Sequence, residues 1–528
     1  MRVPPFKEEQ MSTNNNGFLG EPSNKLGQDT GSINSNNETS PEESKFGIRG
    51  PKVQYREGDG PVILQISHPE KEKETAEILE ELLTHITAQS PREAANITDD
   101  ANLSEKDLVV ITVDYVLEVS QKNNWAMARY RNSYYVYTGT HWKKITEDEL
   151  KGFLGRSAEK INIDKFLARH FNFKNNLHSQ FYAAGLFTPP NSKISETKIN
   201  LANGTFVITK EKQFLKPFDP NDFMLYKLDF PYDPAADALR FQKYIDRVLP
   251  DESKQKVLAE YLGYVFIKNS VLKLEKALIL YGDGHNGKSV MFDIIMKVLG
   301  PDNVSNFSLQ SLTDDKGYHR SMLTGKLLNY ASEISTKLNT TTFKMLVSGE
   351  PIEARQIYGK PFILTDYARM VFNTNVLPKD VENNTGFFRR FIIIHFDQMI
   401  SQEEKDTNLA NSIIANELPG VFNWILAGMR RLLEQGDFTQ SEAIKNTVKD
   451  FKLSSDSVNL FLEDGNYSPS QDKYATLKSL YSYYRDYCKD TGYTACSLKT
   501  FADRLRNYQY HVQRKSQGRV VFIDKMIK

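Results

Sequence analysis

The sequence predicts a multidomain α/β protein: an α+β region, a core in which apolar strands alternate with helices, and a small basic module at the C-terminal end. Three observations carry that expectation. A buried-strand run, Ala277-Leu-Ile-Leu-Tyr281, is followed at once by a glycine-rich turn and a helix-period run. Short apolar runs return at 327–331, 368–374 and 391–396, spaced as strands separated by helices. The last 58 residues carry twelve Lys and Arg against five Asp, although the whole chain is neutral, with 67 basic and 67 acidic residues.

Composition sets the outer bounds. At about 150 residues per domain, 528 residues allow three or four domains. Zero net charge excludes a uniformly basic nucleic-acid coat but leaves room for a local basic module. With 40% apolar residues, 31 Phe and 26 Tyr, the chain can build sizeable cores. Two cysteines, Cys488 and Cys496, exclude a disulfide framework and a Cys-rich zinc module. No apolar run reaches the roughly 18 residues of a membrane span, and the start lacks a secretion signal. The expectation is a soluble, intracellular chain without a membrane partner.

In chain order, residues 1–60 read as a disordered tail, because the Asn- and Ser-rich stretches cannot bury enough apolar surface. Residues 61–107 read as a helical linker segment, with Ile78, Leu79, Leu82, Leu83 and Ile86 on one stripe. An α+β domain is expected over 108–237. Its β-branched run Val109-Val-Ile-Thr-Val113 predicts a strand, and Tyr134 to Ile145 predicts a hairpin turning at Gly139. Residues 148–168 predict helix, Asn203-Gly204 predicts a second tight turn, and Pro231-Tyr-Asp-Pro234 closes the region. The core domain is expected over 238–455, opening with helical faces built on Phe241, Tyr244, Ile245, Val257, Leu258 and Tyr261. The last unit is expected over 456–528.

The turn after Tyr281 reads Gly282-Asp-Gly-His-Asn-Gly-Lys-Ser289, and 290–300 reads as a helix ending at Gly300. Strand, Gly-x-x-x-x-Gly-Lys-Ser and helix, in that order, form a P-loop. Gly282, Gly284 and Gly287 allow backbone N–H groups to curl around phosphates, with Asp283, His285 and Asn286 completing the loop. The helix start adds partial positive charge. Lys288 is the expected β/γ-phosphate contact, and Ser289 the expected ligand of Mg²⁺. The run Leu327-Leu-Asn-Tyr-Ala-Ser-Glu333 predicts a second strand beside the loop strand, ending in a carboxylate for metal and water. Asn375, at the tip of a third strand, is a candidate to orient the same water. A fourth strand, Phe391–Phe396, follows Arg389 and Arg390.

The succession of Gly282–Ser289, Leu327–Glu333, Ser348–Tyr358, Met370–Pro378 and Gly386–Phe396 resembles superfamily 3 helicases. It is most similar to the phage/plasmid primase–helicase group and its poxvirus relatives. Upstream, Tyr135–Trp142, Asn200–Gly204, Tyr232-Asp-Pro and Tyr261–Tyr264 resemble the domain that precedes the motor in that group. The resemblance covers roughly 108–528 and implies an AAA+-like P-loop ATPase core. It implies ATP and Mg²⁺ as cofactors, and a ring, a hexamer, as the working homo-oligomer. The implied role is an ATP hydrolase and replicative DNA helicase of a phage, plasmid or other mobile element, in the cytoplasm of a bacterial host. Its implied partners are single-stranded and forked DNA and other replication proteins. Matched by position, Lys288 and Ser289 fall in Walker A and Glu333 is the Walker B acid, for metal, water or both. Asn375 is the polar sensor and Arg390 the arginine finger, with Arg389 as its substitute.

The same resemblance places a DNA-facing hairpin after Walker B, with Arg355, Tyr358 and Lys360 as contacts and Gly359 as the turn; a hairpin that braces a neighbouring subunit is the alternative. The terminal pattern is two helices, a strand, the basic turn Arg514-Lys-Ser-Gln-Gly-Arg519 and a strand, which predicts a winged helix. Arg504 and Arg506 on its second helix, and Arg514, Lys515 and Arg519 on its wing, are the expected DNA contacts; a helical cap or protein-docking module is the alternative. No residue spacing suggests a metal site beyond Mg²⁺, and no primase catalytic domain is found. A competing function is an ATP-switched replication initiator or loader that binds DNA without processive unwinding.

Overall fold

Capped starts and apolar stripes shape the N-terminal part of the chain. The computed structural model describes residues 74–98, 102–123, 126–130, 133–186, 196–332, 334, 339–378 and 385–525. The expected tail at 1–60 therefore lies outside the described residues. Helices α1 (Thr75–Thr84), α2 (Pro91–Ala94) and α3 (Glu105–Lys122) come first, followed by strands β1 (Met127–Tyr130), β2 (Ser133–Tyr137) and β3 (Trp142–Ile145). Helices α4 (Glu147–Lys160), α5 (Lys165–Arg169) and α6 (Phe171–Ala184) complete this part. The expected strand at Val109–Val113 is instead the middle of α3. Ser104 caps that helix by accepting from the Asp107 N–H, and the Asp107 carboxylate accepts from Ser104 in return. Val109, Val113 and Val116 are buried at helical spacing, so cap and periodicity outweigh β-branched preference. α1 buries Ile78, Leu79 and Leu82 in the same cluster as Val113, Leu150 and Phe173, so it packs as part of this core rather than as a separate linker.

A hairpin sheet of β4 (Thr197–Leu201), β5 (Gly204–Ile208) and β6 (Gln213–Lys216) follows, turning at Asn203-Gly204. Its Ile199, Leu201, Phe206 and Ile208 share a cluster with Phe241, Leu258, Leu278 and Ile394. Packing thus runs across the expected boundary at 237/238.

Two helices, α7 (Leu239–Val248) and α8 (Glu252–Tyr264), lead into β7 (Ala277–Tyr281), the glycine-rich turn and α9 (Lys288–Leu299). Then come β8 (Val304–Ser305), α10 (Leu309–Leu312), α11 (Tyr318–Ser321), β9 (Leu328–Ala331) and α12 (Thr340–Ser348). An antiparallel pair, β10 (Ile352–Arg355) and β11 (Pro361–Leu364), is followed by β12 (Arg369–Thr374), α13 (Thr385–Phe388) and β13 (Phe391–His395). The order across the five-stranded sheet is β13-β7-β12-β9-β8, and every pair is parallel. The immediate neighbours of β7 are β12 and β13. The strand expected beside it, β9, lies one place further out. Alternate residues of these strands feed two cores, Leu278, Leu280 and Val371 on one face and Ala277, Ile279 and Phe372 on the other.

Helices α14 (Leu409–Asn416), α15 (Leu418–Gln435) and α16 (Glu442–Ser454) follow the sheet. The C-terminal unit runs α17 (Ser457–Asp464), β14 (Tyr467–Thr476), α18 (Leu477–Thr491), α19 (Leu498–Asn507), β15 (Val512–Lys515), β16 (Gly518–Lys525). Its antiparallel sheet has the order β14-β16-β15, and it owns a cluster built on Phe461, Tyr484, Phe501 and Val521.

One buried carboxylate ties the helical layer together. Glu260 on α8 is fully buried and accepts from Arg431 Nε on α15, from the Thr439 N–H at 2.8 Å and from the Thr439 hydroxyl. Glu260→Ala leaves Arg431 and the Thr439 N–H without that acceptor. It is expected to cost about 3 kcal/mol or more, read as a lower urea midpoint; an unchanged midpoint refutes the assignment.

Candidate functional site

The glycine-rich turn sits at the C-terminal edge of the sheet, where ligands of open α/β sheets collect. It is held from three sides. The Gly282 N–H donates to Thr374 O at the end of β12 (3.3 Å), and the Phe396 N–H, just past β13, donates to Tyr281 O (2.8 Å). Asn286 Nδ2 donates to Phe396 O (3.1 Å), the Ile400 N–H donates to His285 O (2.8 Å), and the Tyr244 hydroxyl on α7 donates to Gly287 O (2.8 Å). Gly287 has φ +85°, and a Cβ there would stand 2.8 Å from Val248 Cγ1 and 3.1 Å from Tyr244 Cε2. Only glycine satisfies both the conformation and the space.

Gly287 also begins α9 without a side-chain cap. The first-turn N–H groups of that helix therefore present their partial positive charge toward the turn. Lys288 is buried and folds back, its Nζ donating to Gly282 O (2.5 Å), Asp283 O (2.8 Å) and Asn286 Oδ1 (2.9 Å). Burial pushes its amine below the ordinary lysine value, against the pull of Asp283. Asp283, Gly284, His285 and Ser289 are exposed on the rim. An uncapped helix start, an amine held by exchangeable backbone acceptors and an exposed first-turn hydroxyl are a donor set that suits a polyphosphate and its divalent cation.

Asn375 directly follows β12, is exposed, and stands next to the Thr374 that holds Gly282. Glu333 lies outside the described residues, two positions beyond the end of β9. Arg390 is not brought to the turn. It precedes β13 at the opposite end of the sheet, where its guanidinium donates to Ser348 Oγ (3.0 Å) and Gly386 O (2.5 Å). Its side chain is only 10% exposed and reaches Glu275 at 3.5 Å, whereas that of Arg389 is 54% exposed and pairs with the same carboxylate at 2.7 Å.

The candidates in β10–β11 are gathered at one hairpin tip. Arg355 Nε donates to Gly359 O (3.0 Å), and Tyr358 is fully exposed. Gly359 lies in the turn, its N–H donating to Gln356 O (2.9 Å), and the left-handed residue beside it is Tyr358, with φ +60°. A bulky side chain there is strained. In the C-terminal unit Arg504 turns inward to Asp456 (2.9 Å). Arg506 pairs with Asp503 on the surface. Arg514 and Arg519 are exposed and directly opposite each other in the β15–β16 register, and Lys515 lies 3.9 Å over the Tyr474 ring.

Sequence reasoning missed several neighbours of the turn. Tyr244 reads as a core residue, and only the fold shows its hydroxyl beneath Gly287. Lys254 is buried on α8 and donates to His395 O (3.1 Å) and Asp397 Oδ2 (3.0 Å). The His395 ring stacks on Tyr281 at 4.8 Å, and burial holds its imidazole below its ordinary value, against Asp397. Asn373 Oδ1 is buried with no hydrogen-bond partner among the described residues. The Asn-Thr-Asn spacing at 373–375 was a signal that either amide could serve.

Two family models match the chain. Residues 113–250 match the model described as D5 N terminal like, which ends before β7. Residues 280–390 match a family of unknown function, DUF5906, and span the turn, β9 and β12. Among solved structures, an A-form apo structure of the NrS-1 C-terminal region is 15% identical, covering 78% of this chain and 98% of that one with a TM-score of 0.43. A second apo structure of that region, residues 305–718, gives the same figures, 15%, 78%, 98% and 0.43.

Two alanine variants separate strain from surface. Gly287→Ala is expected to destabilise the protein by about 1–3 kcal/mol. Gly284→Ala, with nothing within 4 Å of its added Cβ, is expected to stay within about 0.5 kcal/mol of wild type. Paired thermal melts check this, and equal shifts contradict it.

Proposed function

We propose that the chain is an ATP-hydrolysing, superfamily 3-type DNA helicase serving replication of a phage, plasmid or related element. The observation that carries the reading is the glycine-rich turn, with Lys288 and the uncapped start of α9, at the C-terminal edge of a parallel sheet. The D5 N terminal like match over 113–250 supports a replication role.

On this reading Lys288 exchanges its carbonyl partners for phosphate oxygens, and the α9 N–H groups bind the same anion. Ser289 and Glu333 would hold Mg²⁺, which would supply charge neutralisation to the bound phosphates. Asn375 orients water beside the phosphate end. The second cation comes from a neighbouring copy in a ring, so each site is composite. Arg389 is the better placed of the two candidates, because Arg390 is committed to Ser348 and Gly386. The hairpin tip with Arg355, Tyr358 and Lys360 contacts a single strand by phosphate pairing and stacking. The C-terminal unit, with its helix–strand–helix–helix–strand–strand order, acts as a winged helix whose Arg514 and Arg519 meet the backbone.

Lys288→Ala is expected to abolish ATP hydrolysis, and Arg389→Ala to lower it by about 10³-fold or more. Mixing the two inactive variants restores part of the activity if one interface pairs an intact Lys288 with an intact Arg389; full turnover by a verified monomer refutes the ring. Strand displacement on a forked duplex, absent for a loader, tests the helicase reading.

Arg514→Ala combined with Arg519→Ala should reduce the salt slope of duplex binding by about 2. An unchanged slope removes the wing from the DNA interface.

A further inference from the structure

Glu275, two residues before β7, is held in a conformation that a side chain disfavours. Its φ is +54°, in the left-handed region where a Cβ crowds the backbone. Such strain persists only where the surroundings over-determine it, and here both flanking residues are pinned. The Leu274 N–H donates to the Tyr264 hydroxyl at 3.0 Å. The Tyr261 hydroxyl is shared between Met370 O at 2.7 Å and Lys276 O at 3.1 Å. Tyr261 and Tyr264 are both fully buried on α8.

The strained residue presents its carboxylate to two consecutive arginines. Its Oε2 accepts from Arg389 Nη2 at 2.7 Å and stands 3.5 Å from Arg390 Nη2. The backbone closes the same junction. The Ala277 N–H donates to Arg390 O at 2.8 Å, and Lys276 Nζ donates to Arg389 O at 2.5 Å. Residues 275–277 therefore hold 389–390 by side chain and main chain alike. Arg390 has further partners in Ser348 and Gly386. For the Arg389 guanidinium, Glu275 is the sole hydrogen-bond partner among the described residues. A partly exposed ion pair of this kind adds little to stability, so stability does not account for the strain. Geometry does. A guanidinium carries five N–H donors in one rigid plane. Glu275 takes a donor at Nη2 and so fixes that plane, leaving the donors on Nε and Nη1 for a second oxyanion.

We infer that Glu275 is a positioning residue that fixes the Arg389 guanidinium in the pose from which it serves a phosphate held by a neighbouring copy. The inference rests on the composite, ATP-hydrolysing site proposed above. A carboxylate repels a phosphate, so Glu275 acts only through Arg389.

The test compares steady-state ATP hydrolysis and thermal melting of full-length variants. Glu275→Ala is expected to lower kcat by about tenfold or more, while the KM for ATP stays within about twofold. Glu275→Gln keeps an acceptor oxygen and should recover part of the loss. Glu275→Gly removes the carboxylate and the strain together; it should melt above Glu275→Ala yet turn over no faster. In an Arg389→Ala background, Glu275→Ala should add no further loss. Wild-type kcat in Glu275→Ala and Glu275→Gly, with Arg389→Ala inactive, overturns the inference alone, as does an additive loss in the double variant. Full turnover by Arg389→Ala overturns the inference together with the composite site on which it rests. Turnover that follows the melting temperature through the three Glu275 variants overturns it in favour of a folding role. Turnover above wild type in Glu275→Gln overturns it in favour of a carboxylate that restrains Arg389.

Discussion

The hydrogen bonds at Tyr281 and Gly282 anchor the centre of the molecule. The carbonyl of Tyr281 accepts from Phe396 while the next residue donates to Thr374, so the glycine-rich turn leaves β7 clamped between the ends of two other strands. Each is an ordinary main-chain bond worth about 1 kcal/mol net. Their effect is geometric. They exist only if β12 and β13 both flank β7, which requires the chain to place β9 outside β12. The order of the sheet and the pose of the turn are therefore one constraint seen at two scales. Tyr244 extends it into the helical layer, because its hydroxyl reaches the turn from α7.

Buried charges do related work elsewhere, always by joining segments distant in sequence. Glu260 links α8 to α15 and the stretch that follows it. Asp456 caps α17 through the Val458 and Asn459 N–H groups and accepts from Arg504 and Tyr508 near the end of α19. A carboxylate with several donors tolerates burial that an isolated one would not. Such residues specify how helices meet, whereas the apolar clusters alone would permit sliding.

How much of this was legible in the sequence depended on the range of the interaction. The turn from 282 to 289, the hairpin at 203–204 and helix α19 are short-range features, set by glycine spacing, turn residues and periodicity, and they read directly. Val109–Val113 misled because β-branched composition is local while the Ser104–Asp107 cap lies just outside the run. Strand order could not be read, since adjacency of β7 to β12 follows from crossovers that no local pattern encodes. The same limit applies to the arginines. Arg389 and Arg390 are adjacent in sequence, and Glu275 lies within reach of both, so only the positions of Ser348 and Gly386 separate an inward from an outward side chain. Arg504 looked like a surface cation for the same reason, since Asp456 is 48 positions away.

The junction before the C-terminal unit sets how that unit can act. α16 ends at Ser454, with Phe451 buried in the core below the sheet, and α17 begins at Ser457. Two residues separate the helices, and Tyr493 on the far side donates to Ser454 O at 3.2 Å. A tether this short has no slack. Anything gripped by the terminal unit meets the rest of the chain at an effective concentration fixed by direction, not by chain diffusion. Where the geometry matches, the second contact comes nearly without entropic cost; where it does not, no flexible linker rescues it. Inserting length at 455–456 would therefore release the terminal unit from that fixed direction and leave its position to chain diffusion.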